Sequence, residues 1–458
     1  MSPRGLARLP GAVVEGEALD AYSADSGPCR VRPLAVVMPR DAADVARTVR
    51  FARRSRIGVT PRGGGTGLAG GAVGGGIVMD MRRMAGVRCG RSSVTAGPGA
   101  SKGRLDAMLA RRGRILGPNP SVGPYCTVGG MLATNAAGSR SLRYGTMIDS
   151  VLAVEFVDGT GRLRRLPGDG ALSARILGVA RRTDSAAFPC TSKNSSGYRL
   201  DAVRGAADSA RILAGSEGTL GVITSVRLRT HEAPRRRRLE VLAYRSILRA
   251  AADCAGLAAA GPSTLEIIDY NILRYIGRPV PAGTRCLLMV ETCGAPARGH
   301  RGAVVASTRS GPEIDRWWRQ RDRSLSYSIR AAPGGGMHNI MEDAAVPVAR
   351  LPELVRAIWK VCAGSGMRPI IYGHAGDGNL HLRLAGRGGT AGMARRYFAA
   401  VRSLGGTMTA EHGDGTARAG YLRAQYGAGT VARFAELKAL LDPYGVLNPG
   451  KVLPLRAA

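Results

Sequence analysis

Lysine is scarce in this chain. Lys102, Lys193, Lys360, Lys438 and Lys451 are the whole complement among 66 basic side chains in 458 residues, so arginine carries the formal net charge of +33. The arginines are scattered over every segment, which reads as a compositional bias and not as a footprint for nucleic acid. Aromatic residues make up only 5% of the chain, too few to supply stacking platforms for bases. The one compact basic run, Arg235 to Arg238 after Pro234, fits a solvated connector. No specific nucleic-acid partner is expected.

The eight cysteines are widely separated and none forms a Cys-x-x-Cys pair. That spacing argues against a disulfide framework, an iron–sulfur cluster or a zinc–thiolate site, and it suits a reducing, cytoplasmic setting. No run of about 20 apolar residues occurs, and no apolar signal core follows Met1 to Arg8. The arginine excess leaves peripheral attachment to an anionic membrane open. With 45% apolar residues, a chain of this length can bury real cores in about three domains.

Glycine, by contrast, is abundant and locally concentrated. The stretch Arg56 to Val73 contains Pro61-Arg62-Gly63-Gly64-Gly65-Thr66-Gly67 followed by Leu68-Ala69-Gly70-Gly71. Backbone N–H groups there can approach a diphosphate without Cβ interference, as in an anion nest, so the stretch reads as a pyrophosphate cradle for a nucleotide cofactor. A flexible glycine loop without a ligand is the plainer reading of the same run. Gly65 to Gly70 also matches the GxGxxG fingerprint, which requires a helix on its exit side. Here the exit runs through Gly74-Gly75-Gly76 into Ile77-Val78-Met79-Asp80, too glycine-rich for a helix and closing in a short strand. A Rossmann unit is disfavoured.

Upstream, residues 33 to 39 predict a short buried strand between prolines. Asp41 then caps a helix whose apolar face is Val45, Val49 and Ala52, leading to a strand over 57–60. A helix over 102–112 and a strand over 151–158 follow. Between them, Thr127-Val128-Gly129-Gly130 and Thr134-Asn135-Ala136-Ala137-Gly138 present small residues that suit either a flat, polar-edged ring or a tight helix–sheet contact. Lys193-Asn194-Ser195-Ser196-Gly197-Tyr198 comes next. In Gly215-Ser216-Glu217-Gly218-Thr219-Leu220-Gly221-Val222-Ile223 the lone acid Glu217 would accept hydrogen bonds from neighbouring N–H groups or from a ribityl hydroxyl.

The five blocks PRGGGTGLAGGAV, CTVGGMLATNAAG, RYGT, KNSSGY and GSEGTLGVIT, in that order, resemble the FAD-binding half of the flavin-dependent 2-hydroxy-acid dehydrogenases of the vanillyl-alcohol-oxidase type. The resemblance implies an α+β fold: an FAD-binding domain of two subdomains over 33–230 after an N-terminal extension over 1–32, an α+β cap on an antiparallel sheet over 231–425, and a tail over 426–458 that returns to the FAD domain. It implies FAD contacts from Pro61 to Gly67, Gly129, Gly130, Thr134, Asn135, Ala137, Gly138, Glu217, Gly218, Gly221 and Ile223, with Asn448 and Lys451 closing the site. No histidine lies in the cradle, so a noncovalent flavin is expected.

In the cap region, helices over 246–260, 351–364 and 392–404 alternate with strands over 286–291 and 368–372. Ile370-Ile371-Tyr372-Gly373-His374-Ala375-Gly376-Asp377-Gly378-Asn379-Leu380-His381 reads as strand, tight turn, strand, placing His374 and His381 side by side. Thr409-Ala410-Glu411-His412-Gly413-Asp414 follows. Imidazoles and a carboxylate in glycine-flanked turns describe a catalytic divalent-metal site with open positions. GHAGDGNLH and EHGDG also resemble the metal and base motifs of the same family. By that resemblance His374, His381 and Glu411 hold the metal, zinc foremost, and His412, titrating near its working pH, is the general base.

Trp318-Arg319-Gln320-Arg321 resembles the family's carboxylate-clamping element, with Arg321 in the role that bidentate geometry favours. Two positions depart from relatives: Arg383 stands where several have asparagine, and Met341 where some have lysine. Arg383 is a candidate for a second substrate carboxylate. The implied activity is oxidation of a D-2-hydroxy acid of the lactate, glycolate or 2-hydroxyglutarate class. Electrons would leave to a separate iron–sulfur protein, quinone or flavoprotein. An oxygen-using oxidase and a non-catalytic basic protein that keeps the fold are the alternatives.

Overall fold

Three short strands build the first sheet. In the computed structural model, which describes residues 3–332, 340–386 and 390–455, Ala35–Val37, Ile77–Asp80 and Val59–Arg62 lie side by side and parallel, with Ile77–Asp80 in the centre. The connecting helix, Ala42–Ser55, starts where the Asp41 carboxylate accepts the Asp44 N–H at 2.9 Å, which satisfies one of the orphan donors of the first turn. Val45, Val49 and Ala52 are fully buried on its inner face. The strand after it begins at Val59 and not at Ile57, because the Ile57 N–H still bonds Ala52 O and left-handed Arg56 ends the helix. The glycine stretch leaves this sheet without forming a helix and re-enters it at Ile77, as its composition predicts.

Residues ahead of position 33 are not a loose extension. Leu6, Leu9 and Leu19 are buried, and Val13 pairs antiparallel with Val36. Met1 and Ser2, like residues 456–458, lie outside the described residues.

A second, antiparallel sheet orders Val87–Cys89, Ser93–Ala96, Val222–Arg229, Val151–Val157 and Leu163–Leu166. Helices Lys102–Ala110 and Gly170–Arg181 add Leu105, Leu109, Ile176 and Val179 to its core. The cap is a seven-stranded sheet in the order Ala303–Thr308, Arg238–Tyr244, Cys286–Thr292, Thr264–Asp269, Arg368–His374, Asn379–Ala385 and Ala344–Ala345, with every pairing antiparallel. Its central strands read as nearly continuous apolar runs because both faces are covered. Cys286, Leu288 and Val290 join one core, which helices Ile247–Ala259, Leu351–Cys362 and Ala391–Ser403 help to build. Leu287 and Met289 join another, with Trp317 of helix Gly311–Asp322.

After helix Leu422–Leu441, which is broken at left-handed Gly427, the chain returns to the first sheet. Val59 N–H bonds Val446 O, and Asn448 N–H bonds Val59 O, both at 2.7 Å. The Asn448 side chain donates to Gly71 O (2.9 Å) and Glu217 O (2.7 Å) and accepts from Thr60 Oγ1 (3.0 Å). Removing it strands buried polar groups. Asn448→Ala is expected to lower the unfolding free energy by about 3 kcal/mol in urea titrations; a loss below about 0.5 kcal/mol, the range of an ordinary surface change, would contradict this role.

Candidate active site

The glycine stretch and the catalytic motifs face a common cavity of about 270 Å³. One part of its wall is Pro61–Gly67, Gly129, Gly130, Thr134, Ala137, Glu217, Gly218, Gly221 and Ile223. Another is Arg321, Asp322, Leu325, Glu342, Tyr372, His374, His381, Glu411 and His412. In the cradle, glycine is required by close approach. A Cβ on Gly63 would run into Thr127 Oγ1, and one on Gly64 into the Tyr125 carbonyl. Thr127 also caps the short helix Val128–Ala133 by accepting from Gly130 N–H, so the two predicted blocks are built against each other.

Four predicted cofactor positions stand back from the wall. Asn135, left-handed at φ 50° and fully buried, holds the turn before Val151 by accepting from Thr146 Oγ1 and Ile148 N–H, both at 2.9 Å. Gly138 gives its N–H to Glu411 Oε2 at 2.8 Å. Asn448 fastens the carbonyls of Gly71 and Glu217 as described, and Lys451 is buried and also absent from the lining. Glu217 meets the first of its two predicted uses, and its partners come from the cap. Oε1 accepts from the N–H groups of Asp414 (2.7 Å) and Gly415 (3.0 Å), and Oε2 from Gly415 (3.0 Å). Burial, with Asp414 nearby, pushes its carboxyl up to about 8.

The histidine hairpin forms as expected. Its turn is Ala375–Asp377, and His374 is paired with Asn379 while His381 is opposite Tyr372. Because Tyr372 and His374 are two apart on one strand, both imidazoles still reach the same face. Their ring centroids lie 5.2 Å apart. The three clustered histidines converge on one oxygen: Glu411 Oε1 is 3.1 Å from His374 Nε2, 3.3 Å from His381 Nε2 and 3.7 Å from His412 Nε2.

The partners behind these rings were not foreseen in the sequence. His374 Nδ1 is 2.7 Å from Glu266 Oε1, a buried strand acid that also pairs with Arg321 at 2.5 Å. Such a carboxylate on the far nitrogen is the usual way a ligating imidazole is oriented. His412 Nδ1 lies 2.8 Å and 2.9 Å from the two oxygens of Glu342, which Arg418 holds in turn at 2.7 Å. Asp343 Oδ2 takes hydrogen bonds from Thr409 Oγ1 and from the N–H groups of Ala410, Glu411 and His412 at 2.7–3.0 Å. Glu342 and Asp343 directly follow Met341 and had no role assigned from the sequence. Glu266 carries the plainer signal, an acid inside the apolar strand Thr264–Asp269.

This donor set fits a divalent cation. Asp343, His381, Glu411 and His412 each offer an atom within 4.8 Å of the others. Asp343 Oδ2 already accepts from four donors and anchors the loop, and the expected ligand His374 stands outside this group, its Nε2 3.1 Å from Glu411 Oε1. His381 Nδ1 is buried with no hydrogen-bond partner, and burial lowers the pKa of this imidazole, favouring the neutral form that binds metals. Glu411 is held well below the ordinary carboxylate range: burial opposes ionisation, but Lys193 and His374 outweigh it. For His412, burial is outweighed by Asp343 and Glu342, which push it up to about 10. The side chains alone thus favour the protonated form of His412. A cation among the same carboxylates opposes that shift.

Arg321 reaches the cavity from helix Gly311–Asp322. Its guanidinium carbon lies 5.6 Å from the Tyr372 ring centroid, and its Nη2 lacks an aligned hydrogen-bond acceptor despite the ion pair to Glu266. Arg383 lines a smaller side pocket that shares Leu325, Glu342, Tyr372 and His381 with the main cavity. Its Nε donates to Ser328 Oγ at 3.0 Å. Met341 is buried in a hydrophobic core.

Known proteins bear on this arrangement at three levels. Residues 33–167 match the family model "FAD binding domain", and residues 233–452 match "FAD linked oxidases, C-terminal domain". The chain is 32% identical over 463 residues to the D-lactate dehydrogenase of Archaeoglobus fulgidus, covering 95% of this chain and 96% of that one. It is 28% identical to the glycolate oxidase subunit GlcD of Bacillus subtilis, covering 94% and 91%. A solved alkyldihydroxyacetonephosphate synthase superposes with a TM-score of 0.66 over 98% of this chain and 85% of that one; at 18% identity that likeness speaks to the fold alone. The two-subdomain FAD-binding architecture with an antiparallel cap is thus the observed fold, and this chain belongs to the FAD-linked oxidoreductase family of the D-lactate, glycolate and D-2-hydroxyglutarate dehydrogenases.

Proposed function

We propose that this protein oxidises a D-2-hydroxy acid to the 2-oxo acid with a divalent cation, zinc foremost, held by His374, His381 and Glu411. The observation that carries the reading is the convergence of three imidazole Nε2 atoms on Glu411 Oε1 in the same cavity as the glycine cradle. When bound, FAD supplies the hydride acceptor and the cation a Lewis acid for the hydroxyl. Arg321, whose side chain lines the cavity, binds the substrate's C1 carboxylate. His412 takes the hydroxyl proton at Nε2, because Glu342 occupies Nδ1 and fixes the tautomer. Arg383, in the side pocket, faces the substrate's C2 substituent and accepts a second carboxylate there.

The backbone cradle over Pro61–Gly67 holds the FAD diphosphate, and Gly129, Gly130, Thr134, Ala137 and Glu217–Ile223 line its remaining length. Asn135, Gly138 and Asn448 support that surface from behind. Electrons pass to a separate acceptor, an iron–sulfur protein, quinone or flavoprotein, since the sequence has no closely spaced cysteines for a cluster of its own. Among the described residues no helix is long and apolar enough to cross a membrane. A cytoplasmic site of action, with arginine-mediated attachment to a membrane surface, is part of the proposal.

The purified protein should carry FAD and bleach anaerobically with a D-2-hydroxy acid. His412→Asn should retain the flavin yet slow bleaching by a factor on the order of 100 or more; bleaching at the unmutated rate would remove His412 from the mechanism. Chelation should stop bleaching and zinc add-back restore it, whereas an unchanged rate after chelation excludes the metal.

The pH dependence of stability has a definite sign. His412 is raised from 6.5 to about 10 in the folded protein, so its stabilising charge is fully present below about pH 6.5 and is lost as pH rises toward 10. In chelated protein, the stability difference between wild type and His412→Asn should shrink across that window. A difference that grows with pH would contradict the ion pair with Glu342.

A further inference from the structure

Lys193 belongs to the FAD-binding half, yet its side chain ends between two acids of the cap. It has no exposed surface. Nζ lies 3.3 Å from Glu411 Oε2 and 3.6 Å from Asp377 Oδ2, and donates to Gly138 O at 3.4 Å. Asp377 sits in the turn that joins the strands carrying His374 and His381, while Glu411 lies on the separate loop after residue 408. One ammonium thus touches both cap elements that carry the proposed ligands.

Further contacts of these acids come from the same half. Asp377 accepts from Ser141 Oγ (2.7 Å) and Ser192 Oγ (2.9 Å), and Glu411 Oε2 accepts from Gly138 N–H. The chain after Lys193 continues along the loop. Ser195 N–H bonds Thr409 O at 3.1 Å, Ser195 Oγ bonds Ala410 O at 2.9 Å, and Gly197 N–H bonds Asp414 Oδ2 at 2.7 Å. A buried lysine is tolerated only where its charge is matched, and a buried carboxylate likewise. Replacing the ammonium by hydrocarbon leaves Glu411 and Asp377 buried without their shared counter-charge, with the Gly138 N–H as the remaining FAD-half contact on Glu411 Oε2.

We propose that Lys193 is a positioning residue: from the FAD-binding half it ties Glu411 to the His374–His381 hairpin, so that the cation site is complete only when the two halves are docked. This rests on the metal reading given above.

The test is zinc competition against a chromophoric chelator, on flavin-loaded wild type, Lys193→Met, Lys193→Gln and Ser195→Ala. Lys193→Met should bind zinc about 10- to 100-fold more weakly, the usual loss for a supporting partner of a ligand, with flavin content unchanged. Lys193→Gln keeps a donor but no charge and should fall between; it carries the test if Lys193→Met does not fold. Ser195→Ala removes a neighbouring link to the loop and should stay within about threefold of wild type, a shift under 1 kcal/mol. Wild-type zinc affinity in both lysine variants would overturn the proposal, as would a loss in Ser195→Ala equal to that in Lys193→Met. A wild type that binds no zinc would instead overturn the metal reading on which it stands.

Discussion

The loop Thr409–Asp414 bends as it does because two buried carboxylates accept its backbone. Asp343 Oδ2 gathers the N–H groups of Ala410, Glu411 and His412, and Glu217 gathers those of Asp414 and Gly415. A turn this tight would otherwise strand several N–H groups away from water, at about 1–3 kcal/mol each. The cost of burying the two acids is met by these bonds, and the geometry that results aims Glu411 and His412 into the cavity. Everything chemical in the molecule depends on this arrangement, since neither side chain is on a helix or strand that would direct it.

The two carboxylates come from opposite halves. Asp343 precedes the edge strand of the cap sheet, while Glu217 sits at φ 50° just before strand Val222–Arg229 of the FAD-binding half. A left-handed glutamate is conformationally unfavourable, and here three hydrogen bonds from the other half hold it. The same logic recurs at Asn448, also left-handed, whose amide links the strand Val59–Arg62, the glycine stretch and the Glu217 turn.

Much of the frame was legible in the residues. The Asp41 cap and the apolar periodicity located the start and the buried face of the helix after it, and the glycine exit disfavoured a Rossmann helix. The order of five glycine-rich blocks identified the flavin fold. The hairpin was legible too: its short turn brings His374 and His381 side by side, with ring centroids 5.2 Å apart. The legibility ended where function depends on partners distant in the chain. Nothing near His374 in sequence signals that Glu266, over one hundred residues earlier, will orient it. Nor does the run Lys193–Tyr198 disclose that its lysine points into the cap. The acids that raise His412, Asp343 and Glu342, are likewise a property of the folded cap and not of the motif EHGDG.

The strand Val59–Arg62 takes a hydrogen-bonding neighbour from residues near 447, and Thr60 meets Asn448 across 388 positions. During synthesis the first sheet emerges early but keeps one edge bare until nearly the whole cap has left the ribosome. That edge is an open template for pairing with other nascent chains over the interval. The architecture therefore places a premium on chaperone shielding, and on rapid collapse of the cap, in any cell that makes this protein.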